Sequence, residues 1–214
     1  MTDAKLHYVF DPFCGWCYGA APLVEQLSKI NGLKVALHGG GMMAGSARQQ
    51  VTPQLRDFVL QHDQRIAQMS GQPFGEAYKN GLLSDNSAVF DSEPPTTAIL
   101  AAEQLALRGL DLLKRIQHAH FIDGQKVADQ AVLRALALDI GLAGADFDKA
   151  YASLAGEPTV EHIKNSRALL GKVGGQGFPT FALVHNQQVS VLEFGRYLGH
   201  PVEWQAAVQK VLGA

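Results

Sequence analysis

At 214 residues with 47% hydrophobic side chains, the chain carries enough apolar material for a packed core in one large domain or two small ones. Its 18 Lys and Arg and 20 Asp and Glu are interspersed, and a formal charge of −2 leaves neither a basic run for nucleic acid nor an acidic tail. No cationic segment with an apolar signal core opens the sequence and no apolar run reaches transmembrane length, so the expectation is a cytoplasmic protein with no membrane partner.

Residues 5–10 alternate as a first strand, with Leu6, Tyr8 and Phe10 on one face, and Asp11-Pro12 forms a turn. From Gly15 to about Ile30, Tyr18, Leu23, Leu27 and Ile30 recur at helical spacing, and Pro22 predicts a kink in that helix. Residues 33–38 form a second strand, which a right-handed crossover would place parallel to the first. Gly39-Gly40-Gly41-Met42-Met43 reads as a flexible loop without a phosphate-binding signature, whose methionines can line an adaptable apolar groove.

From about Thr52 to Gly171 the strand signal disappears. A helix headed by Pro53 carries Leu55, Phe58, Val59, Ile66 and Met69 at helical spacing. A loop follows over about 80–91. Further helices are predicted from Ser92 to about Arg108 and near 110–121, 129–140 and 146–154. The next, from Glu157 to Gly171, would bury Val160, Ile163, Ala168 and Leu169. Thr180–Val184 and Gln188–Phe194 then read as a hairpin, and a helix over about 202–212 ends the chain. Two β-rich ends around a helical middle predict a sheet domain made of 1–45 and 157–214, with 46–156 as an insertion.

Cys14 and Cys17, two residues apart between the first strand and the first helix, are the only cysteines. At a helix start the first sulfur meets unpaired backbone N–H groups and the positive end of the helix dipole, which favour thiolate over thiol. Cys14 would be the nucleophile and the more exposed thiol, and Cys17, one turn on, would resolve the mixed disulfide. Zinc would need two more ligands, and no second cysteine pair exists. His118 and His120 are two apart on a helix, where side chains diverge; they, His62 and His162 read as packing or surface residues. The dithiol carries the electrons itself, so neither metal nor organic cofactor is required.

The order strand, CxxC, interrupted helix, strand, then helix, Pro-containing turn, hairpin and helix resembles an α/β thioredoxin-like fold with an inserted all-helical subdomain. Phe10-Asp11-Pro12-Phe13-Cys14-Gly15-Trp16-Cys17-Tyr18 is similar to the DsbA-like, FrnE-like group of predicted protein disulfide isomerases. Gly177-Phe178-Pro179-Thr180 sits where that family places its cis-proline loop, so the resemblance implies a cis Phe178–Pro179 bond lying against the cysteines. It also implies a thiol:disulfide oxidoreductase, a reductase or isomerase of protein or peptide cysteines, with glutathione as a further thiol partner. In this reading Pro179 shapes the site, while Trp16 and Phe178 offer apolar surface to the substrate.

Gly15-Trp16 departs from the Pro-His of the periplasmic oxidant DsbA, so a strongly oxidising potential does not carry over. Phe178 stands where the family more often has Val or Thr. The carboxylates nearest the cysteines are Asp11, which reads as a turn residue, and Glu25, which reads as solvated. Two other readings use the same sequence: a glutathione-dependent transferase or isomerase of the kappa type, which generally lacks the resolving thiol, and a holdase that works without sulfur.

Overall fold

The computed structural model describes residues 4–213. In β1 (Ala4–Phe10), alternation turns Ala4, Leu6, Tyr8 and Phe10 to one buried face. Strand β1 runs parallel to β2 (Leu33–Gly39) and antiparallel to β5 (Thr180–His185), and β5 pairs antiparallel with β6 (Gln188–Val191), giving the order β2-β1-β5-β6. The β5–β6 turn is made by Asn186 and Gln187, both at positive φ (50° and 63°), as a two-residue hairpin turn of the twist-matching kind requires.

The first helix is broken rather than kinked. It forms α1 (Gly15–Gly19) and α2 (Ala21–Leu27), with Pro22 in the first turn of α2. There the missing N–H would have had no intrahelical acceptor, so proline starts a new helix instead of straining an old one. On the face of Leu6 and Tyr8, α2 packs against α9 (Pro201–Leu212), Tyr8 stacks on Phe181 (centroids 5.1 Å apart), and Trp204 meets Phe181 edge-on (5.8 Å). His7 alternates to the other face, where α8 (Glu157–Lys172) packs on β2 and His38 stacks on His162.

Between β2 and α8 lie α3 (Pro53–Ser70), α4 (Glu93–Ala106), α5 (Gly109–Phe121), α6 (Gln130–Asp139) and α7 (Gly144–Leu154). Helix α3 begins where the Thr52 hydroxyl accepts from Leu55 N (3.1 Å) and stops at Gly71 in the left-handed conformation (φ 72°). The middle of the chain is helical except for a two-residue ladder of β3 (Gln49–Gln50) with β4 (Val89–Phe90), too short to leave an alternating pattern in sequence. The segment expected as a loop, about 80–91, is entered through a π turn, Ala77–Gly81, and holds a 3-10 turn, Leu82–Ser84.

Two apolar stripes differ from expectation. On α8 the buried residues are Thr159, Ile163 and Ser166, while Val160 is exposed. Hydroxyls suit that face because each finds a partner: Thr159 Oγ1 donates to Leu154 O (2.7 Å), and Ser166 Oγ to His162 O (2.8 Å). On α3, Ile66 is buried, but Phe58 is 60% exposed and Asp63 is buried in the stripe. The α3 departure lies beside Cys14.

Candidate active site

Asp11 builds the turn that delivers the first cysteine. Its backbone carbonyl accepts from Cys14 N (3.1 Å), and its carboxylate accepts from Phe13 N (2.9 Å) and Met42 N (2.5 Å). It is fully buried, and desolvation pushes its carboxyl up to about 6 against the pull of those N–H donors. The turn role read from sequence is correct; the burial was not anticipated. Glu25 is solvated as expected, paired with Lys114 (2.6 Å) and Lys29 (3.3 Å).

Cys14 is the N-cap of α1. Its Sγ accepts from Cys17 N at 3.3 Å and lies 3.5 Å from the Phe178 carbonyl oxygen, to which the thiol donates. Both thiols are free. Cys14 is 5% exposed and Cys17 wholly buried; burial, then the adjoining Cys14 sulfur, holds the Cys17 thiol well above the ordinary range. The Tyr8 ring closes the site from the sheet side. Its hydroxyl is buried beside Cys17, and burial followed by the nearby thiols keeps that phenol protonated.

The Phe178–Pro179 peptide is cis, and the loop that carries it lies against Cys14. Thr180 Oγ1 donates to Gly177 O (2.7 Å) and so fixes the loop from the strand side. The Phe178 ring covers Gly40: a Cβ there would stand 2.2 Å from the ring. The glycine loop is therefore held and not flexible. Arg167 donates to Gly40 O (2.7 Å) and Gly41 O (2.6 Å), and Gly40 N donates to Phe10 O (2.7 Å). Gly40→Ala is expected to cost about 1–3 kcal/mol as the ring is displaced. Urea denaturation measures this, and an unchanged midpoint would show that the ring yields freely.

On the insertion side a cavity of about 610 Å³ opens at Cys14. Trp16, Met42, Met43, Leu55, Phe58 and Val59 give it an apolar wall, and neither Phe178 nor Pro179 lines it. Arg65 lies over the Trp16 indole, 5.8 Å from its centroid. The site thus has two flanks: Trp16 with the cavity on one, the Phe178–Pro179 backbone on the other. Asp63, Tyr78 and His120 are among the polar residues of the cavity wall, with Gln49, Thr52, Gln54 and His62; His120 is the packing residue the sequence suggests, and Asp63 was missed. Its place on the Val59, Ile66 stripe of α3 is the signal that could have found it.

The chain matches the DSBA-like thioredoxin domain model over residues 5–195. No match is found among curated proteins. Among solved structures it is 49% identical to the cytosolic disulfide reductase DsbM from Pseudomonas aeruginosa, with a TM-score of 0.92 and 98% of each chain covered. A structure of that reductase with GSH matches at 48% identity and TM-score 0.91, covering 98% of this chain and 100% of that one. A candidate protein disulfide isomerase from Nitrosomonas europaea shares the fold at 20% identity and TM-score 0.80, over 99% and 100% of the two chains. With a CxxC pair capping its first helix, a mixed four-stranded sheet interrupted by helices, and a family match over most of its length, this chain belongs to the DSBA-like thioredoxin domain family.

Proposed function

We propose that Cys14 is the attacking thiol and Cys17 the resolving thiol of a thiol:disulfide oxidoreductase that works chiefly as a reductase. One observation carries this reading: the Cys14 sulfur sits at the N-cap of α1, at the mouth of a cavity, with a second, buried thiol one helical turn behind it. Cys14 attacks a substrate disulfide and forms a mixed disulfide while the first substrate thiolate leaves. Cys17 then attacks Cys14 Sγ and releases the second, so two electrons pass from the dithiol to the substrate and the enzyme is left as the Cys14–Cys17 disulfide.

The Phe178 carbonyl next to Cys14 gives an extended peptide a place to pair its backbone, which supports protein or peptide disulfides as substrates. Pro179 shapes that edge, and Trp16 offers apolar surface on the cavity side. Glutathione is the small thiol partner, a reading supported by the structure of DsbM with GSH, whose chain is 48% identical to this one. The cytosolic description of DsbM also supports a cytoplasmic setting, and no described helix is long and apolar enough to cross a membrane.

A glutathione redox titration of the Cys14–Cys17 pair tests the direction. A reductase requires a potential toward that of thioredoxin, about −270 mV, and a value near about −120 mV would make the protein an oxidant and overturn the reading.

A further inference from the structure

Asp63 is 5% exposed, and among the described residues its carboxylate has one donor, the Tyr78 hydroxyl at 3.0 Å from Oδ2. The other oxygen, Oδ1, lies toward the CxxC turn: a Cβ built on Gly15 would be 3.0 Å from it. Beside Tyr78, with ring centroids 5.2 Å apart, His120 is 1% exposed and its Nδ1 has no partner. Burial draws the imidazole down to about 3, and its bond to the Gln125 backbone carbonyl does not reverse this, so the ring is neutral and Nδ1 offers a lone pair.

Among the described residues Asp63 Oδ1 has no donor, Asp63 stands in the wall of a cavity that opens on the Cys14 sulfur, and no lysine or arginine lines that cavity; His120 Nδ1 is a second acceptor without a partner, buried in the wall behind it. Buried acceptors are ordinarily satisfied, and a buried carboxylate without a cation is costly. The group that supplies both a donor and a positive charge to Oδ1 is a primary ammonium. From this geometry, and building on the assignment of Cys14 as the attacking thiol, we infer that the cavity is a subsite for small thiols and disulfides that carry a free ammonium group, with Asp63 as its specificity-determining residue. The ammonium is held at Asp63 while the substrate sulfur meets Cys14. Such a group occurs beside the sulfur in cysteamine-type thiols and one residue away in glutathione.

Burial pushes the Asp63 carboxyl up to about 7, opposed by the Tyr78 bond. The titratable groups lining the same cavity are Tyr78, which donates to Asp63, neutral His120, His62 and Cys14; none of them bonds Oδ1, so an incoming ammonium there is the charge that ionises it. Binding of a cationic disulfide is thereby coupled to loss of a proton from Asp63.

The test uses the pre-reduced full chain in single turnovers with cystamine, oxidised glutathione and the neutral bis(2-hydroxyethyl) disulfide. The expected result is a preference for the ammonium-bearing disulfides that rises with pH through about 7, and a fall of at least tenfold in the cystamine-to-neutral ratio of kcat/KM in Asp63→Asn, with its pH dependence lost. If oxidised glutathione follows cystamine, the subsite tolerates an ammonium one residue from sulfur; if its ratio is unmoved, the subsite is confined to ammonium groups beside the sulfur. Wild type without a preference for cystamine, or a ratio unchanged by the substitution, would overturn the subsite. Failure of the wild type to reduce any of the three would instead overturn the oxidoreductase reading.

Discussion

Cys17→Ser is expected to leave a protein that accumulates mixed disulfides with its substrates and turns over at least about a hundredfold more slowly. The attacking sulfur and its surroundings remain: Cys14 still caps α1, and the Cys17 backbone N–H that donates to it is untouched by a side-chain change. What disappears is intramolecular resolution, where a well-placed group can act at an effective molarity of up to about 10⁵ M that no external thiol matches. Cys14→Ser should abolish turnover without trapping, because the remaining thiol is wholly buried. Non-reducing electrophoresis with intact-mass measurement checks both. Equal trapping by the two variants would mean that either sulfur can start the exchange, and the assigned polarity would be wrong.

The second large effect is a stability that falls as pH rises. Asp63 and Asp11 keep their protons in the folded chain up to about 7 and about 6, against an ordinary value of 3.8. Between those limits the folded state binds more protons than the unfolded one, so this contribution is full below about pH 4, declines from there up to about pH 6 for Asp11 and about pH 7 for Asp63, and is level above that. At 1.36 kcal/mol per unit, the Asp63 shift corresponds to on the order of 4 kcal/mol and the Asp11 shift to roughly 3 kcal/mol. Asp63→Asn is therefore expected to flatten the profile and to exceed the wild type in stability above pH 7. Asp11→Asn should instead destabilise at every pH, because an amide N–H₂ would face either Phe13 N or Met42 N, both of which donate to the present carboxylate. Urea titrations from pH 4 to 8 decide the matter; a wild-type profile that rises over that range would refute it.

The sheet and the cysteine turn were legible because their signals are local. Alternation at Leu6, Tyr8 and Phe10, the Cys14–Cys17 spacing, and the motif around Pro179 each depend on neighbours in sequence. The insertion was legible as helix but not in its faces. Helical spacing assigned Phe58 and Met69 to a buried side, yet α3 turns Phe58 toward the cavity mouth because another part of the chain, α1, occupies its inner surface. Asp63 is the sharpest case. A carboxylate on an apolar stripe looks like an interruption until Tyr78, fifteen positions away, supplies its hydrogen bond. Pro22 misled for a different reason: a proline in the first turn of a second helix and a proline kinking one long helix have the same local sequence.

Gly15 makes the active-site dipeptide epistatic with a helix far along the chain. A Cβ at that position would stand 2.9 Å from Ile66 Cδ1 and 3.0 Å from Asp63 Oδ1, so any other residue between the cysteines must first be accommodated by α3. Exchanging Gly15-Trp16 for the Pro-His of an oxidising relative is therefore not a modular transplant. Gly15→Ala is expected to cost up to about 1–3 kcal/mol, and adding Ile66→Val, which removes the opposing Cδ1, should recover part of it. The residues that face the reactive sulfur and those that face the insertion helix constrain one another, so redox tuning in this chain proceeds by paired substitutions across two elements and not by change at the motif alone.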